Sequence, residues 1–257
     1  MIPVLTIAGS DASGGAGIEA DIKTFCAHGL YGMSVITSVV AENTFRVINA
    51  YDMSAQAVGD QIEAVFEDIV PKAVKIGMLP NVCIMQIVAE KLAKFSAKNV
   101  VLDPVMQAKN GFNLMSEREN LLSKMLGIID LITPNIPEAE ILTNTKISNE
   151  NDMKNAALII AEKGAKSVLI KGGHKKGASD FLYFEGKFFE YKTKFINTKN
   201  THGTGCTLSS AIASNLALGR KMNKAVENAK KYIQGAIENS LDLGHGAGPL
   251  NHFYNIF

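Results

Sequence analysis

Two rhythms of apolar and polar residues take turns along this chain. Short runs of apolar, often β-branched residues recur at Pro3 to Ala8, Met33 to Val40, Ala73 to Ile76, Val100 to Leu102, Leu131 to Thr133 and Ser167 to Lys171. Between them lie longer segments with apolar residues every three or four positions, such as Ile18, Ile22 and Phe25 in the stretch ending at His28. The first rhythm is that of strands buried on both faces, the second that of amphipathic helices. Helices are predicted over 18–28, from the cap Ser54 to about Asp68, over 81–95, to Leu126 from a capping box of Ser116 with Glu119, over 138–142 behind Pro137, and over 153–163, 204–218 and 223–239. Ile48 to Asp52 adds a strand, the polar stretch 144–151 a loop, and Asp180 to Phe184 with Phe188 to Lys194 a β-hairpin about Glu185, Gly186 and Lys187. Strands alternating with helices imply an α/β fold, a mostly parallel central sheet with helices on both faces, built as one domain over 1–257.

In such sheets ligands bind beyond the carboxyl ends of the strands. The polar and glycine residues of this chain collect at those ends. Asp11 and a glycine-rich stretch, 9–17, follow the first strand; Glu42, Asn43 and Thr44 follow the second. Gly77 and Met78, then Asp103, then Asn135, then Lys171 with Gly172, Gly173 and His174 follow the later ones. The stretch from Asn197 to Thr207 runs into a helix through Gly203, Thr204, Gly205 and Cys206. The first N–H groups of a helix have no partner within it and carry partial positive charge, so this turn is suited to an anion. A thiol at that place loses its proton more readily, so Cys206 is expected to have a lowered pKa.

The remaining candidates each have a plain alternative. Lys171 reads as a phosphate contact or as a strand-end lysine stretched along apolar surface. Asp103 and Glu138 read as a pair for Mg²⁺, which leans on one or two carboxylates and on phosphates, or as helix caps. Met78, Val105 and Met106 read as walls for an aromatic ligand or as core filler, and Asp21 as a solvated helix carboxylate. His174 and His202 read as polar loop residues. The 9–17 stretch lacks the G-x-G-x-x-G spacing of a dinucleotide site, and no phosphate loop of the G-x-x-x-x-G-K-[ST] type is present.

Composition narrows the partners. The chain has 257 residues, 47% of them hydrophobic, with a net charge of +1 and no long charged block. This argues against nucleic acid or a membrane surface as the main partner. Its three cysteines, Cys26, Cys83 and Cys206, are too scattered for a metal site and point to a reducing cytoplasm. No apolar run reaches membrane-spanning length, and the start lacks the features of a signal peptide.

Taken together, the stretches 6–21, 75–79, 102–106, 133–139, 171–174, 198–207 and 244–249 resemble the hydroxymethylpyrimidine/phosphomethylpyrimidine kinases of thiamine biosynthesis, over essentially the whole chain. The resemblance implies a ribokinase-like three-layer sandwich and ATP-dependent phosphorylation of 4-amino-5-hydroxymethyl-2-methylpyrimidine, then of its monophosphate. The family also includes enzymes that phosphorylate pyridoxal. By matching motif, Gly203, Thr204, Gly205 and Cys206 resemble the anion hole, with Cys206 standing where many ribokinase-like enzymes have an aspartate base. Lys171, Thr198, Thr204 and Asn135 are the implied ATP contacts, and Asp103 and Glu138 with Asn135 the Mg²⁺–phosphate support. Gly9, Asp21, Met78 and Val105 resemble the pyrimidine pocket. Glu42 departs from the pattern, since glutamine is the commoner family residue there. Mg²⁺ as cofactor, ATP as co-substrate and a homodimer are the expected associations.

Overall fold

A computed structural model describes residues 1–105, 125–173, 179–192 and 194–256. Met106, His174, and Ser116 with Glu119 as the start of the helix to Leu126, lie outside the described residues. The described strands join in one sheet. They are β1 (Pro3–Asp11), β2 (Tyr31–Glu42), β3 (Val47–Asp52), β4 (Val74–Ile76), β5 (Val100–Leu102), β6 (Leu131–Ile132), β7 (Ser167–Ile170), β8 (Ser179–Phe184) and β9 (Lys187–Lys192). Their order is β3-β2-β1-β4-β5-β6-β7-β8-β9. The strands from β2 across to β7 run parallel, while β3, β8 and β9 are antiparallel to their neighbours.

The described helices are α1 (Gly17–Ala27), α2 (Ala55–Asp68), α3 (Val82–Lys94), α4 (Ile136–Thr143), α5 (Glu150–Glu162), α6 (Thr204–Ala217) and α7 (Met222–Glu238). Alternate strand residues point to opposite layers, as the pleat requires. Leu5, Ile7, Val74, Ile76, Val100 and Leu102 pack with α2, α3, α4 and α5 in one core. Val4, Val101, Leu131 and Leu169 pack with α1, α6 and α7 in the other. This is the expected α/β sandwich.

Boundaries moved where pairing or capping overrode local pattern. β1 runs on through Gly9 to Asp11, because Ser10 and Asp11 still pair with Val39 and Val40 across an irregular step. The glycine loop is therefore shorter than 9–17. Likewise β2 extends to Glu42, held by pairing with Val47. The 144–151 loop is cut short by α5, whose cap Asn149 accepts a hydrogen bond from the Asp152 N–H at 3.0 Å. α4 begins at Ile136, one residue before the predicted proline start, under a capping box of Asn135 and Glu138.

Candidate active site

The site is built on the start of α6. Its cap, Gly203, takes a left-handed conformation at φ 78°. A side chain there would place its Cβ 1.9 Å from the Gly15 carbonyl oxygen, so only glycine lets the two loops pass. Thr204 closes the turn, its hydroxyl donating to the Thr201 carbonyl at 2.7 Å. The following amides, of Gly205 and Cys206, belong to the first turn of the helix, whose N–H groups have no acceptor within it, and both residues line the cavity described below.

Asp11, at the end of β1, organises both loops. Its carboxylate accepts from the Ser13 N–H at 2.7 Å, the Ser13 hydroxyl at 2.7 Å, the Gly15 N–H at 3.0 Å, the Ala16 N–H at 2.8 Å and His202 Nε2 at 2.8 Å. Burial alone would raise its pKa, but these donors, His202 foremost, hold it well below the usual carboxylate range. His202 is thus a structural partner of Asp11, not a loose loop residue. Glu42 stands beside them, its carboxylate within 4.8 Å of ligand atoms of both Asp11 and His202.

Cys206 corrects an expectation. Its pKa is not lowered by the helix start but pushed up to about 11. Burial is the main cause, and the carboxylates of Asp21 and Asp103 add to it. Lys75 and a hydrogen bond from the Gly17 N–H act in the opposite sense and are outweighed. In the resting site Cys206 is a thiol.

Asp103 and Lys171 meet across the next two gaps in the sheet. Lys171 Nζ lies 3.0 Å from Asp103 Oδ1, which also receives the Thr133 hydroxyl at 3.3 Å. Burial works against the Lys171 charge, yet Asp103 and Glu138 overcome it and raise its pKa. The other Asp103 oxygen faces Gly205, 3.1 Å from where a Cβ would stand. Asn135 caps α4 by accepting the Glu138 N–H at 2.9 Å, and Glu138 Oε2 answers by accepting the Asn135 N–H at 2.8 Å. The capping reading of Glu138 therefore holds, and Glu138 also lines the cavity. Oxygen donors of this kind suit a hard cation such as Mg²⁺.

A cavity of about 980 Å³ opens above these groups. Val105, Asp103, Asn135, Glu138, Lys171, Thr198, Gly203, Thr204, Gly205 and Cys206 all line it, so most of the sequence candidates converge. Phe195, Ile196, Ile233 and Ile237, which sequence reasoning missed, also line it. The apolar pair Phe195–Ile196 inside an otherwise polar loop was the available signal. Gly9 and Met78 sit together one strand further on, where a Cβ on Gly9 would come 2.6 Å from Met78 Cε.

Asp21 does not join them. It is neither a solvated carboxylate nor a pocket residue but fully buried behind the site, bonded to Thr6, Lys75 and Ser210. A sequence pattern places it on α1 without showing which face of that helix meets α6.

Solved structures that share this architecture include vitamin kinases. An ADP complex of Bacillus subtilis pyridoxal kinase matches with a TM-score of 0.91 at 36% identity, covering 98% of this chain and 97% of that one. Fold and site thus define a kinase of ribokinase-like architecture acting on small molecules. A crystal structure of phosphomethylpyrimidine kinase from Clostridium difficile is 49% identical with a TM-score of 0.81, covering 92% of this chain and all (100%) of that one. The hydroxymethylpyrimidine/phosphomethylpyrimidine kinase of Bacillus subtilis is 44% identical over 254 residues, 97% of this chain and 94% of the relative. A family profile described as phosphomethylpyrimidine kinase matches residues 11–251. The chain belongs to the phosphomethylpyrimidine kinase family.

Proposed function

We propose that this enzyme uses ATP to phosphorylate 4-amino-5-hydroxymethyl-2-methylpyrimidine, and then its monophosphate, giving the diphosphate for thiamine biosynthesis. The observation that carries this is the meeting of the α6 anion turn, the Lys171–Asp103 pair and Cys206 on one cavity, in a chain 44% identical to an enzyme of that name. The substrate oxygen attacks the γ-phosphorus in line. A bond from that oxygen to phosphorus forms as the bond to the bridging oxygen of ADP breaks. The Gly205 and Cys206 amides hold the charge on the equatorial oxygens of the moving phosphoryl group, and the Lys171 ammonium holds the departing phosphate. Thr198, Thr204 and Asn135 position the triphosphate. Asp103 and Glu138 would hold Mg²⁺, which when bound neutralises phosphate charge.

In the first step the hydroxyl proton passes to the thiolate form of Cys206. In the second the nucleophile is a phosphate oxygen that already carries charge and needs no base. Gly9, Glu42, Met78 and Val105 receive the ring. An aminopyrimidine edge presents a ring-nitrogen acceptor beside an amino donor, and an ionised glutamate only accepts. One proton is therefore shared between Glu42 and the ring nitrogen. The decisive experiment offers the pyrimidine alcohol, its monophosphate and pyridoxal separately with MgATP and weighs the products. Transfer to both pyrimidines supports the reading; transfer to pyridoxal alone replaces it with the vitamin B6 activity of the structural neighbours.

Residues 1–257 act as one kinase domain, in the cytoplasm where ATP is made available. Three free cysteines support that compartment. No helix among the described residues is long and apolar enough to cross a membrane. A homodimer is the assembly we favour. β3 is an edge strand, and Ile48 and Tyr51 on it are 66% and 60% exposed. Sedimentation of the wild type as a monomer would dismiss that assembly.

A further inference from the structure

We infer that the buried pair Asp21–Lys75 is a positioning device for the transfer, locking the first turns of α1 and α6 in register so that the anion turn meets the substrate in one geometry. The inference rests on reading that turn as the phosphate-binding element.

Both helices begin at the carboxyl edge of the sheet and lie side by side. They meet closely where they open, Gly203 passing against Gly15 and Ala16 just ahead of α1. One turn further in, Ser210 donates its hydroxyl to Asp21 Oδ1 at 2.6 Å. Asp21 lies one helical turn beyond Gly17, and Ser210 one turn beyond Cys206, so this hydrogen bond ties the two helices directly behind their first turns. The second oxygen of Asp21 fixes this tie to the sheet. Oδ2 accepts the Thr6 hydroxyl of β1 at 2.6 Å and Lys75 Nζ of β4 at 2.7 Å. One carboxylate thus joins four elements, and Thr6, Asp21, Lys75 and Ser210 are all 0% exposed.

Stability alone does not account for this choice. Removing two charges from water carries a penalty of several kcal/mol per ion, and apolar replacements of a buried pair are often neutral or stabilising. The neighbouring strands show what packing requires at this level: Val4, Val101 and Leu131 face the same helical layer. A lysine among them is a departure with a local accommodation. Gly77 follows two residues later, and a Cβ there would lie 2.8 Å from Nζ. What the ion pair adds over an apolar contact is direction, because charged hydrogen bonds hold angles and lengths that dispersion does not. Burial acts against the Lys75 charge, but the Asp21 carboxylate, with Asp103 beyond it, outweighs burial and raises the pKa of Lys75.

The test is Ser210→Ala, which cuts the tie between the helices and leaves both charges in place. A small displacement of a catalytic turn costs as much as about 10²-fold in rate. We expect kcat to fall by about tenfold or more, with KM for ATP and for the pyrimidine within about threefold of wild type. A folded Ser210→Ala enzyme with wild-type kcat overturns the inference. The neutral double variant Asp21→Asn/Lys75→Met is the second arm: folded, it should show the same kcat deficit, and full activity in it also overturns the lock. Should the double variant fail to fold, Ser210→Ala decides alone. Gly205→Ala tests the anion turn itself. A rate loss there with none in Ser210→Ala sinks the lock only, whereas an unchanged rate in Gly205→Ala removes the reading on which it rests.

Discussion

At the scale of single residues, Cys206 and Glu42 carry the sharpest chemistry. With the thiol pKa raised to about 11, only a small thiolate fraction exists at neutral pH, and that fraction grows tenfold per pH unit. If this form takes the substrate proton, kcat for the alcohol should climb with pH toward about 11. Cys206→Ala should flatten the climb and lower the rate by about 10²–10⁴-fold, the usual effect of losing a base. The monophosphate reaction should keep its rate and its profile. A near-normal, still rising alcohol rate in Cys206→Ala would leave the residue structural. Glu42 acts in the opposite sense. Its shared proton is lost as pH rises, so kcat/KM for the alcohol should fall through that step. Glu42→Gln should remove the fall and alter preference among analogues with changed ring nitrogens. Identical profiles and preferences in both proteins would dismiss the contact.

At the scale of elements, α4 separates a structural role from an electrostatic one. Glu138 both caps the helix and faces the cavity beside Lys171. Glu138→Gln keeps an acceptor for the Asn135 N–H and loses the charge. It should unfold in urea at nearly the wild-type midpoint, yet transfer phosphate more slowly and need more Mg²⁺. Asn135→Ala removes the cap itself and should lower stability by about 1 kcal/mol. Equal activity of Glu138→Gln and wild type across a Mg²⁺ titration would reduce Glu138 to a cap.

At the scale of the whole molecule, stability should depend on pH through His252. It is 3% exposed, and Nε2 lies 3.0 Å from the Thr207 hydroxyl at the base of α6. Burial, helped by Lys23, lowers its pKa from 6.5 to about 4. The unfolded chain therefore binds a proton at a higher pH than the folded one does. The contribution is fully present above about 6.5 and is lost as pH falls toward about 4, amounting to ~3 kcal/mol. Chemical denaturation across this range should show the loss, and His252→Gln should reduce its slope. An unchanged slope would place the acid sensitivity elsewhere.

The alternation of apolar rhythms was enough to define the sheet, its two helical layers and the edge where ligands gather, because burial on one or two faces leaves a periodic trace. Gly203, Gly205, Lys171, Asp103 and Asn135 were legible for the same reason: each follows a strand or opens a helix, and position along the chain already fixes position at the edge. Asp21 and Lys75 were not. Local pattern cannot say that a carboxylate on α1 and a lysine on β4, far apart in sequence, close on each other beneath α6. The thiol of Cys206 was misread on the same ground. Its helix-start position lowers a pKa, but its actual value depends on burial and on two carboxylates brought in from other elements. Charge and solvation are summed over neighbours in space, and only the tertiary structure decides who those neighbours are.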